Sequence, residues 1–129
     1  MKLNRILETS LYAEDLEAAE AFYTGMLGLE VHSRLAGRHV FFRVGAEMLL
    51  VFNPDRTEKE ADSPHGCRGR GHVAWAVPAG EMEDWRRRLA EKRVPFKDHL
   101  WREGIHSLYF SDPAGNSLEL AAPNLWDIS

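Results

Sequence analysis

The spacing of apolar and polar residues changes period along the chain, and the changes come in the same order twice. Arg5–Tyr12 alternates and predicts a first strand. Asp15 then offers a side-chain oxygen at a helix start, and Leu16, Ala19, Phe22, Tyr23 and Met26 recur at helical spacing. Gly28 suits a left-handed stop. Leu29–Leu35, Arg38–Val44 and Glu47–Phe52 are short β-prone runs parted by Gly37 and Gly45. Residues 54–70 have no period and are rich in polar residues, Pro and Gly, which predicts a linker. After it the order returns: strand Gly71–Val77, helix Glu81–Lys92, and strands Pro95–His99, His106–Ser111 and Ser117–Ala121.

The chain therefore predicts an α+β fold of two βαβββ modules. Repeat one covers about 3–53, the linker about 54–70, repeat two about 71–122, and a tail 123–129, all in a single domain. The stretch from His39 to Val51 aligns with the stretch from His106 to Leu120, with a turn two residues longer in the second copy. His39 and His106 then hold matching positions near a strand start. One face of each sheet is covered by its helix. The other also needs a cover, and two curved mixed sheets around a shared cup provide it. Open strand edges invite a second copy, so a homodimer is expected.

Composition narrows the function. The 129 residues carry a net charge of -4, no basic field for phosphates, and hence no expectation of nucleic acid. Apolar runs such as Met48–Phe52 are far too short for a membrane span, and the N-terminus reads as a strand and not a targeting signal. Cys67 is the one cysteine, so neither an internal disulfide nor a thiolate zinc site is available. The cytoplasm is the expected compartment.

Three polar residues interrupt the strand pattern. Glu8 lies in the first strand, His72 at the matching place in the second repeat, and Glu119 between Leu118 and Leu120. A charged group within a strand faces either water or a partner that offsets its desolvation. Two carboxylates and an imidazole could find that partner in a divalent cation. Equally, an outward Glu or His on a strand needs no function.

A resemblance bears on this choice. Asp15-Leu16-Glu17-Ala18, Ala21-Phe22-Tyr23 and Leu27-Gly28-Leu29-Glu30-Val31 in the first repeat resemble the vicinal oxygen chelate superfamily. So do Gly71-His72-Val73-Ala74 and the run from Phe110 to Leu120 in the second. That superfamily is the group of glyoxalase I, bleomycin-resistance proteins and extradiol dioxygenases. The resemblance implies metal ligands at the positions of Glu8, Leu50, His72 and Glu119, and Leu50 breaks the four-ligand pattern. It implies a divalent metal (Zn, Mn, Ni or Fe) on Glu8, His72 and Glu119. It also implies a small substrate chelating through neighbouring oxygens, in lyase, isomerase, transferase or dioxygenase chemistry. The fosfomycin-resistance thiol transferases are similar in Ser107, Tyr109 and Ser10, which implies substrate contacts at these three, with Glu119 and Tyr109 nearest the reaction. Their cation before that strand falls near Asp98, with Lys97 beside it. A metal-free, bleomycin-resistance-like binding protein is the alternative the broken ligand set suggests.

Overall fold

The computed structural model describes residues 1–60 and 65–128; residues 61–64 of the linker and Ser129 of the tail lie outside the described residues. The chain divides into two compact units, Met1–Gly71 and His72–Ser129, each holding one repeat.

In the first unit, β1 (Glu8–Tyr12) leads into α1 (Leu16–Gly25), followed by β2 (Glu30–Leu35), β3 (His39–Val44) and β4 (Glu47–Phe52). The sheet order is β1-β4-β3-β2, with β1 parallel to β4 and the other pairs antiparallel. Asp15 caps α1, its carboxylate accepting from the Ala18 amide at 3.0 Å. The helix ends where Gly28 turns to φ +69°, and the amides of Gly28 and Leu29 return to the carbonyls of Thr24 and Tyr23. A side chain would resist that backbone, so glycine is needed there. One sheet face packs Leu11, Val40, Phe42, Leu49 and Val51 against Ala19 and Tyr23 of α1, all at most 4% exposed. The Tyr23 and Phe42 rings lie 5.3 Å apart.

The second unit repeats the plan with β5 (His72–Ala76), α3 (Met82–Glu91), β6 (Lys97–Arg102), β7 (Ile105–Ser111) and β8 (Ser117–Ala121), in sheet order β5-β8-β7-β6. Leu108, Phe110, Leu118 and Leu120 are buried on the helix side with Met82 and Leu89. No helix among the described residues is long and apolar enough to cross a membrane.

Several details differ from the sequence reading. The start of the linker is a short helix, α2 (Pro54–Thr57), with Pro54 at its first turn and the Asn53 side chain accepting from the Asp55 amide. The strand expected at Pro95–His99 runs instead over Lys97–Arg102, past a bulge between Leu100 and Arg102. The hairpin alignment of the two repeats is also one residue off. Phe41 pairs with Leu50 and Tyr109 with Glu119, while His39 pairs with Phe52 and Ser107 with Ala121. Hence His39 matches Ser107, and His106 faces the helix. The second turn is longer by one residue and not two. A slip of one residue exchanges the two faces of a strand.

The helix-side face of the second sheet carries an ionic clamp. Arg86 of α3 donates to Asp98 at 2.6 Å, and His106 Nδ1 donates to its other oxygen at 2.7 Å. Burial favours the neutral Asp98 carboxyl, but Arg86 and His106 outweigh it and hold the group below the usual carboxylate range. A depressed folded pKa stabilises above the unfolded value, about 4, and that contribution is lost as pH falls through the folded value. Asp98→Asn should therefore lower stability at pH 6, by an amount reduced by solvent screening, and the gap to wild type should narrow as pH falls below the unfolded value of about 4. Urea unfolding across this pH range checks this.

Candidate functional site

The face of the second sheet turned away from α3 is polar. Strand alternation puts His72, Ser107, Tyr109 and Glu119 on it, and the β7–β8 register sets Tyr109 directly opposite Glu119. His72 Nδ1 lies 3.0 Å from the Ser117 carbonyl. A carbonyl only accepts, so Nδ1 carries the hydrogen. The other ring nitrogen, Nε2, points at Glu119 Oε2 across 3.3 Å. Glu119 is only 7% exposed. Unless a proton or a cation stands between them, two lone pairs would face each other there.

Tyr109 completes the group. Its ring lies roughly parallel to the His72 ring, with centroids 6.5 Å apart. Burial pushes its phenol above the ordinary range, and the Glu119 carboxylate adds to the push through a hydrogen bond and its charge. A hydrogen bond from Ser107 acts in the opposite direction. The phenol stays protonated, directly opposite Glu119 in the ladder. Ser107 is fully buried and accepts from the Trp101 indole at 2.9 Å. Lys97 pairs with Tyr109 in the ladder, so its ammonium rises from the same face.

The corresponding face of the first unit is mostly apolar. Glu8 pairs with Met48, Ser10 with Leu50 and Tyr12 with Phe52. In the second unit, His72 pairs with Ser117, Ala74 with Glu119 and Ala76 with Ala121. Glu8 is thus the structural counterpart of His72, and Leu50 of Glu119. Tyr12, Leu50 and Phe52 form a buried cluster supported by Phe41 and Met48. His39 stacks on Phe41 at 4.0 Å, and Arg38 donates to its Nδ1 at 2.6 Å. Burial, then the Arg38 charge, pushes the His39 imidazole down, so it is a neutral acceptor. The end of the linker lies over this cluster: the His65 ring is 5.1 Å from Phe52, and a Cβ on Gly66 would come within 2.5 Å of the Tyr12 ring. Arg68 holds that segment with ion pairs to Glu14, Asp55 and Glu58.

Of the residues singled out by sequence, the second unit brings together His72, Ser107, Tyr109 and Glu119. Glu8 is exposed and Ser10 half-buried on the matching face of the first unit. Among the described residues, no third His, Cys, Asp or Glu joins the His72–Glu119 pair. Trp101 borders this face through Ser107. Its bond to Ser107 depends on the bulge in β6, for which the sequence carries no sign.

Two βαβββ units with the same sheet order define a class of fold, and comparison identifies it. The model of the Glyoxalase/Bleomycin resistance protein/Dioxygenase superfamily matches residues 3–120, and the chain belongs to that superfamily. A lactoylglutathione lyase from Agrobacterium tumefaciens is 38% identical, over 99% of this chain and 100% of that one, with a TM-score of 0.92. A glyoxalase/bleomycin resistance protein/dioxygenase from Nocardioides is 24% identical over 95% of this chain and 85% of its own, with a TM-score of 0.76. The fosfomycin resistance protein FosX from Mesorhizobium loti is 18% identical over 98% of both chains, with a TM-score of 0.69. The last two likenesses concern the fold alone. No curated protein matches the chain by sequence.

Proposed function

We propose that the protein is a divalent-metal-dependent enzyme, a lyase in the manner of its lactoylglutathione lyase relative, acting on a small molecule with two neighbouring oxygens. The observation that carries this reading is the His72–Glu119 pair, with Nε2 and Oε2 at 3.3 Å and the imidazole hydrogen held on Nδ1. An outer carbonyl that fixes the tautomer is the usual support of a ligating histidine. The donor set fits a hard or borderline ion such as Zn, Mn, Ni or Fe. Glu8, the counterpart of His72, would supply the third ligand. When bound, such an ion would stabilise negative charge on a substrate oxygen.

The chain's own groups do the rest. Glu119 would balance the ion's charge, with Tyr109 directly opposite it in the ladder. The Tyr109 hydroxyl and Lys97 lie on one face, where they orient and neutralise an anionic oxygen. Ser10 and Ser107 are the further candidates for substrate contact. Tyr12, Leu50, Phe41 and Phe52 offer an apolar wall for its carbon skeleton. A homodimer is proposed as the working form, with open strand edges as its interface. The joint placement of Ser107, Tyr109 and Lys97 on one face also favours a second reading, thiol transfer to a phosphonate or similar anion.

Loading the purified protein with each of the four metals, and assaying turnover of lactoylglutathione and thermal stabilisation by small hydroxy acids and phosphonates, tests the reading. The expected result is metal-dependent turnover or stabilisation in at least one pairing. Stabilisation by a ligand without any metal, and none added by metal, would favour a metal-free binding protein.

A further inference from the structure

The bulge in β6 falls between Leu100 and Arg102, and it leaves Trp101 opposite no partner in the β6–β7 ladder. Bulges re-aim side chains and gather beside binding sites. This one turns the indole onto the face that carries His72 and Glu119. The Nε1–H donates to the Ser107 hydroxyl at 2.9 Å, and the ring stands at 75° to that of His99, 4.4 Å away. His99 pairs with Ser107 and Lys97 with Tyr109, so both belong to the same face. Ser107 is fully buried and gives the indole a fixed anchor, while Trp101 itself stays 48% exposed. A large apolar ring held in one orientation, with half of it open to water, has already given up the freedom that binding would otherwise cost. Ser107 pairs with Ala121, which makes it the diagonal neighbour of Glu119, about 7–8 Å away. A small molecule whose oxygens sit at the His72–Glu119 pair therefore reaches the indole with a side group about one ring long.

We infer that Trp101 is a specificity-determining residue of this site: its indole is a stacking surface for a flat aromatic side group, and the substrate class is the small hydroxy or oxo acids that carry one. Lys97 stands on the same face as a counter-charge for the acid. The inference deepens the proposed function and rests on the His72–Glu119 pair being where the substrate's oxygens bind. A second copy of the chain, paired on the open β6 edge, would instead bury the indole, and the test separates the two.

The test uses the full-length protein, with cobalt(II) and without metal, and two probes that differ only by a phenyl group, lactate and phenyllactate. In protein labelled with nitrogen-15, the Trp101 indole N–H resonance is the one lost in Trp101→Phe. Phenyllactate should move it with or without cobalt, and lactate should not. By calorimetry the loaded wild type should bind phenyllactate about tenfold tighter than lactate, the order of one added aromatic contact. Trp101→Ala should bring the two affinities to a ratio of about one, and Trp101→Phe, which keeps a flat ring, should retain part of the preference. A residue that only supports Ser107 would weaken both acids alike and leave the ratio as it was, and that result would overturn the inference. So would an indole resonance indifferent to phenyllactate, or one that moves on dilution of the protein alone, which would make Trp101 a contact between copies. If the wild type takes no cobalt, the metal reading fails by itself, and the indole resonance of the metal-free protein still decides the role of Trp101.

Discussion

Replacing His72 by Ala should weaken divalent-metal binding by at least about a hundredfold, since even outer partners of a ligand command ten to a hundredfold. His72 supplies the one imidazole of the proposed set, and its Nε2 is 3.3 Å from Glu119 Oε2. Without it, Glu119 and Glu8 would remain as two carboxylates that repel each other wherever they share an ion. The side chain is half exposed, so the fold should tolerate the change. Equilibrium dialysis with metal analysis measures the loss, and unfolding of the metal-free variant confirms that its stability is kept.

Leu50→Glu should cost the metal-free protein about 3 kcal/mol, and metal should return much of it. Leu50 is 7% exposed and packed with Tyr12 and Phe52. Removing a buried leucine costs about 2–5 kcal/mol, and a carboxylate left there without a partner adds to that. Leu50 is also the register counterpart of Glu119, so the new carboxylate takes the place of a fourth ligand. Saturating metal at about a thousand times its Kd stabilises by about 4 kcal/mol. The expected result is a variant less stable than wild type without metal, and stabilised more than wild type by the same added ion. An equal deficit with and without metal would show that position 50 is only a packing site.

The parts of the fold visible in the sequence are those fixed by local chemistry. Asp15 caps α1 because its carboxylate reaches an amide three residues on. β4 and β8 fall on Glu47–Phe52 and Ser117–Ala121, where runs of apolar residues are bounded by turns. Glu8, His72 and Glu119 stood out because a charge interrupts such a run. Less visible was anything that depends on counting through a turn. The Asp112–Asn116 turn is clasped by buried side chains, with Asp112 accepting from the Asn116 amide at 2.8 Å. That clasp sets the register of β7 on β8, and a count one residue off placed His106 opposite His39. The first strand starts at Glu8 and not Arg5, because Ile6 and Leu7 are exposed and only the Leu7 carbonyl is taken up, by the Met48 amide. The bond from Trp101 to Ser107 needs a bulge that no pattern of residues announces.

Anomalous diffraction at the metal edge, from crystals of the protein loaded with manganese or zinc, tests the central claim most directly. The account predicts one strong peak per chain, within about 2.3 Å of His72 Nε2 and of carboxylate oxygens of Glu119 and a Glu8. A fully loaded protein whose peaks lie elsewhere, with His72 still against Glu119 and no ion between them, would contradict it.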